Sequence, residues 1–301
     1  MLRFVSMIIA VLALAVAPVS AQQAAGGPLN VVATFSILGD FAKNVGGDRV
    51  SVTTLVGPNS DTHVYTPTPS DAKKITDAKL VIINGVGLEG WLPRLIKSSG
   101  GKAVTVVATK GIATRKIEDG HDHDPGDADP HAWQSVINAK IYVANIRDAL
   151  TVADPAGADV YKANAAAYLA KLDVLDREVR EMVAKIPPQR RSVISTHDAF
   201  GYFAAAYGIK FIAPQGVSTE SEPSARDIAA IITQIKKQKI PAVFLENVSD
   251  PRLMRRIAAE TGANIGGTLY SDSLTDEKGP APTYIDMVRH NIKALTSALS
   301  S

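Results

Sequence analysis

Short apolar runs alternate with amphipathic stretches from Leu29 to about Ala153. Asn30 to Thr34 reads as a strand and Ile37 to Val45 as a helix closed by Gly46-Gly47. Val50 to Val56 is a second strand, ended by Gly57-Pro58, and Pro69 to Asp77 is helical with Ser70 or Asp71 near its start. Leu80 to Ile83 is an apolar run of the kind buried in parallel sheets. Leu88 to Lys97 reads as a helix and Ala103 to Val107 as a strand. The same alternation resumes at Arg191. Val193 to Thr196, Ile209 to Ile212, Ala242 to Leu245 and Asn264 to Tyr270 read as strands. Ala199 to Tyr207, Ser224 to Lys237, Pro251 to Glu260 and Thr283 to Leu299 read as helices, with Ser224 as an N-cap. Alternation of this kind predicts α/β architecture: two lobes, each a mostly parallel sheet flanked by helices.

Between the two sets lies a segment without strands. Asp154-Pro155 is a helix start, and Gly157 is the sole breaker before Pro187-Pro188. Tyr168, Leu172, Leu175, Val179, Met182 and Ile186 form one apolar stripe at helical spacing. A helix from Pro155 to Ile186 would be about 48 Å long at ~1.5 Å per residue. The pattern therefore predicts an N-terminal lobe over 22–153, a long connecting helix within 154–188 and a C-terminal lobe over 189–301. A rigid connector of this sort restricts wide hinge closure.

Composition changes the picture in three ways. Apolar residues are 46% of the chain and charged residues 21%, ordinary values for a globular protein. The net charge of +2 and the lack of a basic block give no support to nucleic-acid or membrane-surface binding. Met1-Leu2-Arg3, the apolar run Phe4 to Ala17 and Val19-Ser20-Ala21 have the layout of a secretory signal peptide over residues 1–21, cleaved before Gln22. No cysteine is present, so an exported metal site must use imidazoles and carboxylates. No cysteine follows the signal for lipid attachment, so a soluble periplasmic protein is expected rather than a tethered lipoprotein.

The six histidines differ in context. His63 lies in the turn-rich loop after the second strand, His131 in Asp129-Pro130-His131-Ala132-Trp133 ahead of a helix, and His197 directly after the strand Val193 to Thr196. Asp272 follows the strand Asn264 to Tyr270. In open α/β sheets the carboxyl ends of strands border the ligand crevice, so these residues are candidates for one shared site. Three imidazoles and one carboxylate make a closed four-coordinate shell that zinc accepts readily. A lone histidine in a loop is more often a hydrogen-bonding residue, and Asp272 alone reads as an Asx turn. Glu246, at the end of an apolar strand, is expected to orient a ligand rather than bind the ion. Glu220 and Glu222 flank a polar loop, and His290 reads as an ordinary residue of the last helix. Gly120 to Asp129 is acidic, with His121 and His123, and reads as a solvated loop or a metal-transfer element.

These segments resemble the cluster A-I (cluster 9) family of metal-binding components of ABC importers, from about Leu29 to Leu299. Asp61-Thr62-His63-Val64-Tyr65 is similar to the first ligand loop, with Thr62 where proline is common. Asp129-Pro130-His131-Ala132-Trp133, Thr196-His197-Asp198-Ala199-Phe200-Gly201-Tyr202-Phe203 and Leu269-Tyr270-Ser271-Asp272-Ser273 resemble the other three. The resemblance implies two α/β lobes joined by one long helix, with His63 and His131 from the first lobe meeting His197 and Asp272 from the second. It implies capture of a metal ion for a membrane permease with its cytoplasmic ATPase, by a monomer, with a periplasmic metallochaperone as a further partner where one loads it. Histidine at the third ligand position resembles the zinc-type members, whereas manganese and iron binders usually carry glutamate there; some members with histidine take both zinc and manganese. The competing readings are a manganese or iron carrier, a zinc-dependent hydrolase and a metal-independent adhesin. The hydrolase reading lacks an H-E-x-x-H helix and an open coordination position.

Overall fold

The computed structural model describes residues 27–101, 103–117 and 128–300. The signal-peptide segment and the loop carrying His121 and His123 lie outside the described residues. Among the described residues, no helix is long and apolar enough to cross a membrane.

The first sheet contains β1 (Leu29–Phe35), β2 (Val50–Val56), β3 (Leu80–Ile83) and β4 (Val104–Val107), all parallel, in the order β2-β1-β3-β4. α1 (Ser36–Gly46), α2 (Pro69–Asp77) and α3 (Leu92–Ser98) connect them. β1 is central and apolar, and Val31 to Phe35 are buried on both faces, as parallel strands between helices require. β4 is an edge strand, and Val104 and Val107 remain exposed. α4 (Val136–Ala153) follows the gap after Ile117. The second sheet repeats the arrangement. β5 (Ser192–Ile194), β6 (Lys210–Ile212), β7 (Ala242–Glu246) and β8 (Asn264–Leu269) pair in parallel in the order β6-β5-β7-β8. α6 (Gly201–Tyr207), α7 (Ala225–Gln238) and α8 (Arg252–Thr261) connect its strands, and α9 (Tyr284–Leu299) closes the chain.

The connector is shorter than the periodicity predicts. Pro155–Gly157 form a 3-10 turn, and α5 runs over Ala158–Ala184, 27 residues or about 40 Å. Asp154 sets this start: its Oδ2 accepts from Arg49 Nε and Nη2 and from Tyr161 OH, crowding the turn at Gly157. Tyr168, Leu172, Leu175 and Val179 are buried, and Val183 rather than Met182 continues the stripe. α5 lies against α1, α4 and α9 and touches α6, so helices from both halves of the chain share its apolar face.

One start shifts for an identifiable reason. α3 begins at Leu92, four residues after the predicted position, because Pro93 is tolerated only in a first turn. α2 starts at Pro69 with Ser70 and Asp71 in its first turn, as read from the sequence; Thr68 caps it, and Asp71 is the partner three residues on. Asp71 Oδ2 accepts from Thr68 N, Thr68 Oγ1 and Tyr65 OH, and Oδ1 from Lys74. Burial by itself would raise the pKa of Asp71. Lys74 and the Thr68 and Tyr65 donors outweigh it and hold the carboxyl well below the usual range.

Candidate metal centre

The four residues proposed from the sequence come together. One ligand atom from each of His63, His131, His197 and Asp272 lies within 4.8 Å of all the others, and all four residues are buried. His63 Nε2 is 3.2 Å from His131 Nε2 and 3.5 Å from Asp272 Oδ2. His131 Nε2 is 3.6 Å from Asp272 Oδ1, and His197 Nε2 is 3.1 Å from Asp272 Oδ2. A tetrahedral ion with ligands at ~2.0–2.1 Å requires donor atoms about 3.3 Å apart. His197 Nε2 and both Asp272 oxygens are buried without a well-aligned hydrogen-bond partner. Buried polar atoms are rarely left so, and a cation among them would satisfy all three.

The segments that carry these four candidate donors are held by hydrogen bonds. The loop between β2 and α2 carries His63, whose N–H donates to Asp61 Oδ1 at 2.8 Å. Trp91 Nε1 donates to the Thr62 carbonyl, and Tyr65, bonded to Asp71, closes the loop onto the cap of α2. Asp61 Oδ2 also accepts from Thr219 Oγ1, so the loop is tied to the second lobe. His131 sits before α4, in a turn in which Asp129 Oδ1 accepts from both its N–H and its Nδ1, at 2.9 Å each. Asn84 donates to the Pro130 carbonyl and accepts from Tyr142 OH. The N–H groups of Asn84 and Gly85 donate to Glu89, a carboxyl whose pKa burial pushes up against the Thr34, Asn84 and Gly85 donors.

His197 follows β5 and bridges in parallel to Gln215. Its Nδ1 meets Glu246 Oε2 at 2.6 Å, and Glu246 Oε1 accepts from the N–H of Thr196 and of His197. Glu246 thus takes the supporting role expected of it. Burial alone would drive His197 toward neutrality, but the negative charges of Glu246 and Asp272 outweigh it and raise its pKa well above the imidazole norm. Burial likewise opposes ionisation of Asp272, and His197 and His131 outweigh it, lowering its pKa. Asp272 follows β8, but the first lobe fixes its neighbours. Trp133 Nε1 and Gln134 Nε2 both donate to the Ser271 carbonyl, at 2.8 and 2.6 Å. Ser273 Oγ accepts from Ser60 N, and Leu274 N donates to Ser36 Oγ.

The sequence reading placed Asp129 in the acidic loop, and Trp133 and Gln134 carried no role; their contacts run between residues more than 130 positions apart. Asp129 was detectable, being two residues before a histidine, as Asp61 is. His290 lies within α9, as read from the sequence; it is half-buried, its Nε2 donates to the Thr268 carbonyl and its ring lies 4.9 Å from Tyr270. Glu220 and Glu222 do not join the donor cluster. Glu220 instead lines a cavity of about 670 Å³ that reaches His63, together with Val86, Leu88, Thr114 and Val217.

Residues 31–298 match the family described as zinc-uptake complex component A, periplasmic. The chain is 38% identical to the iron-binding protein YfeA of Yersinia pestis over 88% of this chain and 84% of that protein. It is 36% identical to the manganese-binding lipoprotein MntA of Halalkalibacterium halodurans, over 98% of each. The periplasmic zinc binding protein TroA of Treponema pallidum superimposes with a TM-score of 0.85 at 32% identity, covering 92% of this chain and all of that one. The two parallel sheets, the long helix and this match place the chain in the ZnuA family of periplasmic metal-binding proteins, binding components of ABC importers rather than enzymes.

Proposed function

We propose that the chain captures one zinc ion on His63, His131, His197 and Asp272 and carries it to the permease of an ABC importer. The working unit is a monomer of two lobes, 22–153 and 189–301, bridged by 154–188 and secreted to the periplasm on residues 1–21. The observation that carries the reading is the inward-facing donor set, three imidazoles and a carboxylate, with the three imidazoles 3.1–3.6 Å from Asp272 and His63 3.2 Å from His131. Imidazole-rich shells of four favour zinc, and a shell filled by protein donors suits capture rather than catalysis. The named relatives include iron and manganese binders, so donor chemistry rather than similarity supports zinc.

Manganese is the second reading, and one feature favours it. Both Asp272 oxygens are free of well-aligned hydrogen bonds, so the carboxylate can bind through two atoms and present five donors, which suits an ion preferring more oxygen. Protein refolded without metal and offered equal zinc and manganese decides between them. Zinc retention is expected; manganese retention overturns the zinc assignment.

A further inference from the structure

We infer that Gly201 and Tyr202, at the start of α6, are positioning residues that set His131 through Asp129; the inference rests on the ligand assignment above. Gly201 is not among the residues with positive φ, so the backbone does not demand glycine there. Space does. A Cβ built on Gly201 lies 2.6 Å from Asp129 Oδ2 and 3.0 Å from Arg115 Nε. The Asp129 carboxylate has no freedom to yield, because its other oxygen is committed to the N–H and Nδ1 of His131. Tyr202 holds the same residue by its main chain: its hydroxyl donates to the Asp129 carbonyl and accepts from Arg115 N–H, both at 3.0 Å. The Arg115 guanidinium covers the Tyr202 ring at 5.9 Å.

The consequence is a link between ligands of different lobes. Gly201 is four residues beyond His197, on the helix that His197 precedes. The group that orients His131, a ligand of the first lobe, therefore rests on the second lobe's third ligand segment. His131 keeps its Nδ1–H partner, and so its Nε2 lone pair toward the ion, only while α6 is docked against Asp129. Loss of a carboxylate behind a ligand imidazole costs about 10–100-fold in metal affinity, so disturbing Asp129 from Gly201 carries a comparable loss without altering any ligand.

The test is a double-mutant cycle on the full chain, read as zinc affinity by chelator competition. Gly201→Ala and Asp129→Ala are each expected to weaken zinc about 10–100-fold. Their combination is expected to be no weaker than Asp129→Ala alone, because the alanine at 129 removes the carboxylate on which a Cβ at 201 would press. Losses that multiply would place the effect of Gly201 elsewhere and overturn the inference, as would wild-type affinity in Gly201→Ala while His131→Ala abolishes binding. Wild-type affinity in His131→Ala would instead overturn the ligand assignment. Tyr202→Phe, which keeps the ring, guards against misfolding of the glycine variant. It should weaken zinc and be non-additive with Asp129→Ala, with circular dichroism of the metal-free protein unchanged; full affinity in this variant would remove Tyr202 from the inference.

Discussion

Glu246→Gln isolates the group behind His197. The carboxylate accepts three N–H donors, Thr196 N and His197 N on one oxygen and His197 Nδ1 on the other. A glutamine has one acceptor oxygen. If it faces Nδ1, the amide NH₂ meets two main-chain donors; if it faces those, the NH₂ meets Nδ1 and favours the tautomer with the proton on Nε2, the atom that must bind the metal. Either arrangement weakens the site, by about 10–100-fold or roughly 1.4–2.7 kcal/mol. The loss also has a pH signature. Glu246 helps hold a proton on His197 to higher pH than usual, and zinc must displace that proton. Wild-type affinity therefore begins to fall with decreasing pH from above ~6.5. In the variant the imidazole releases its proton more readily, so the competition sets in at lower pH. The deficit should be largest at alkaline pH and narrow as pH falls. Zinc titrations against a chelator, with its own proton affinity corrected for, at several pH values between 6 and 9 would check this. A deficit that is constant with pH, or absent, refutes the reasoning.

Three further outcomes are expected. Asp71→Asn removes the charge that caps α2 and pairs with Lys74, costing about 2 kcal/mol at neutral pH. Because the folded pKa of Asp71 is depressed, its stabilisation is present above the unfolded value. It is lost as pH drops below about 4 toward the folded one, so denaturant melts of the two proteins should converge in acid. Zinc at a thousand times its dissociation constant should stabilise the fold by about 4.1 kcal/mol, reversed by chelator; an unchanged melting temperature would count against a site in the native state. His197→Glu should move selectivity toward manganese while lowering overall affinity, because Glu246 is then left facing a second carboxylate; competition binding reads both effects.

The four clustered side chains were legible because each sits at a strand end or loop-to-helix junction, where local sequence reports local structure. Alternation of apolar runs gave the strands for the same reason, and the Ser224 cap of α7 follows from its neighbours alone. What escaped the sequence is long-range. α4, 18 residues long, was not assigned a span. Trp133 and Gln134 reach Ser271, and Gly201 leaves room for Asp129; neither residue type advertises such a partner. The exact start of α5 depends on Arg49, far away in the chain, meeting Asp154.

The supports are unequal among the ligands, and this yields a kinetic prediction. Asp129 and Glu246 hold the Nδ1 atoms of His131 and His197, and Trp133 with Gln134 fixes the chain beside Asp272. For His63, the bond described among the supporting residues is to its main-chain N–H, from Asp61. His63 is also the one ligand whose side chain retains exposure, 5% against 0% for the other three, and it borders the cavity with Glu220. It should therefore be the first donor to leave when the ion is released. His63→Ala should leave a three-donor site that still retains zinc but exchanges it faster, whereas His131→Ala and Asp272→Ala should lose far more affinity, each removing a buried donor whose supports remain rigidly arranged around a gap. Dissociation rates measured by capture of the released ion in excess chelator separate the variants. Equal loss in His63→Ala and His131→Ala would show instead that the four donors act as one unit, with no ordered path for release.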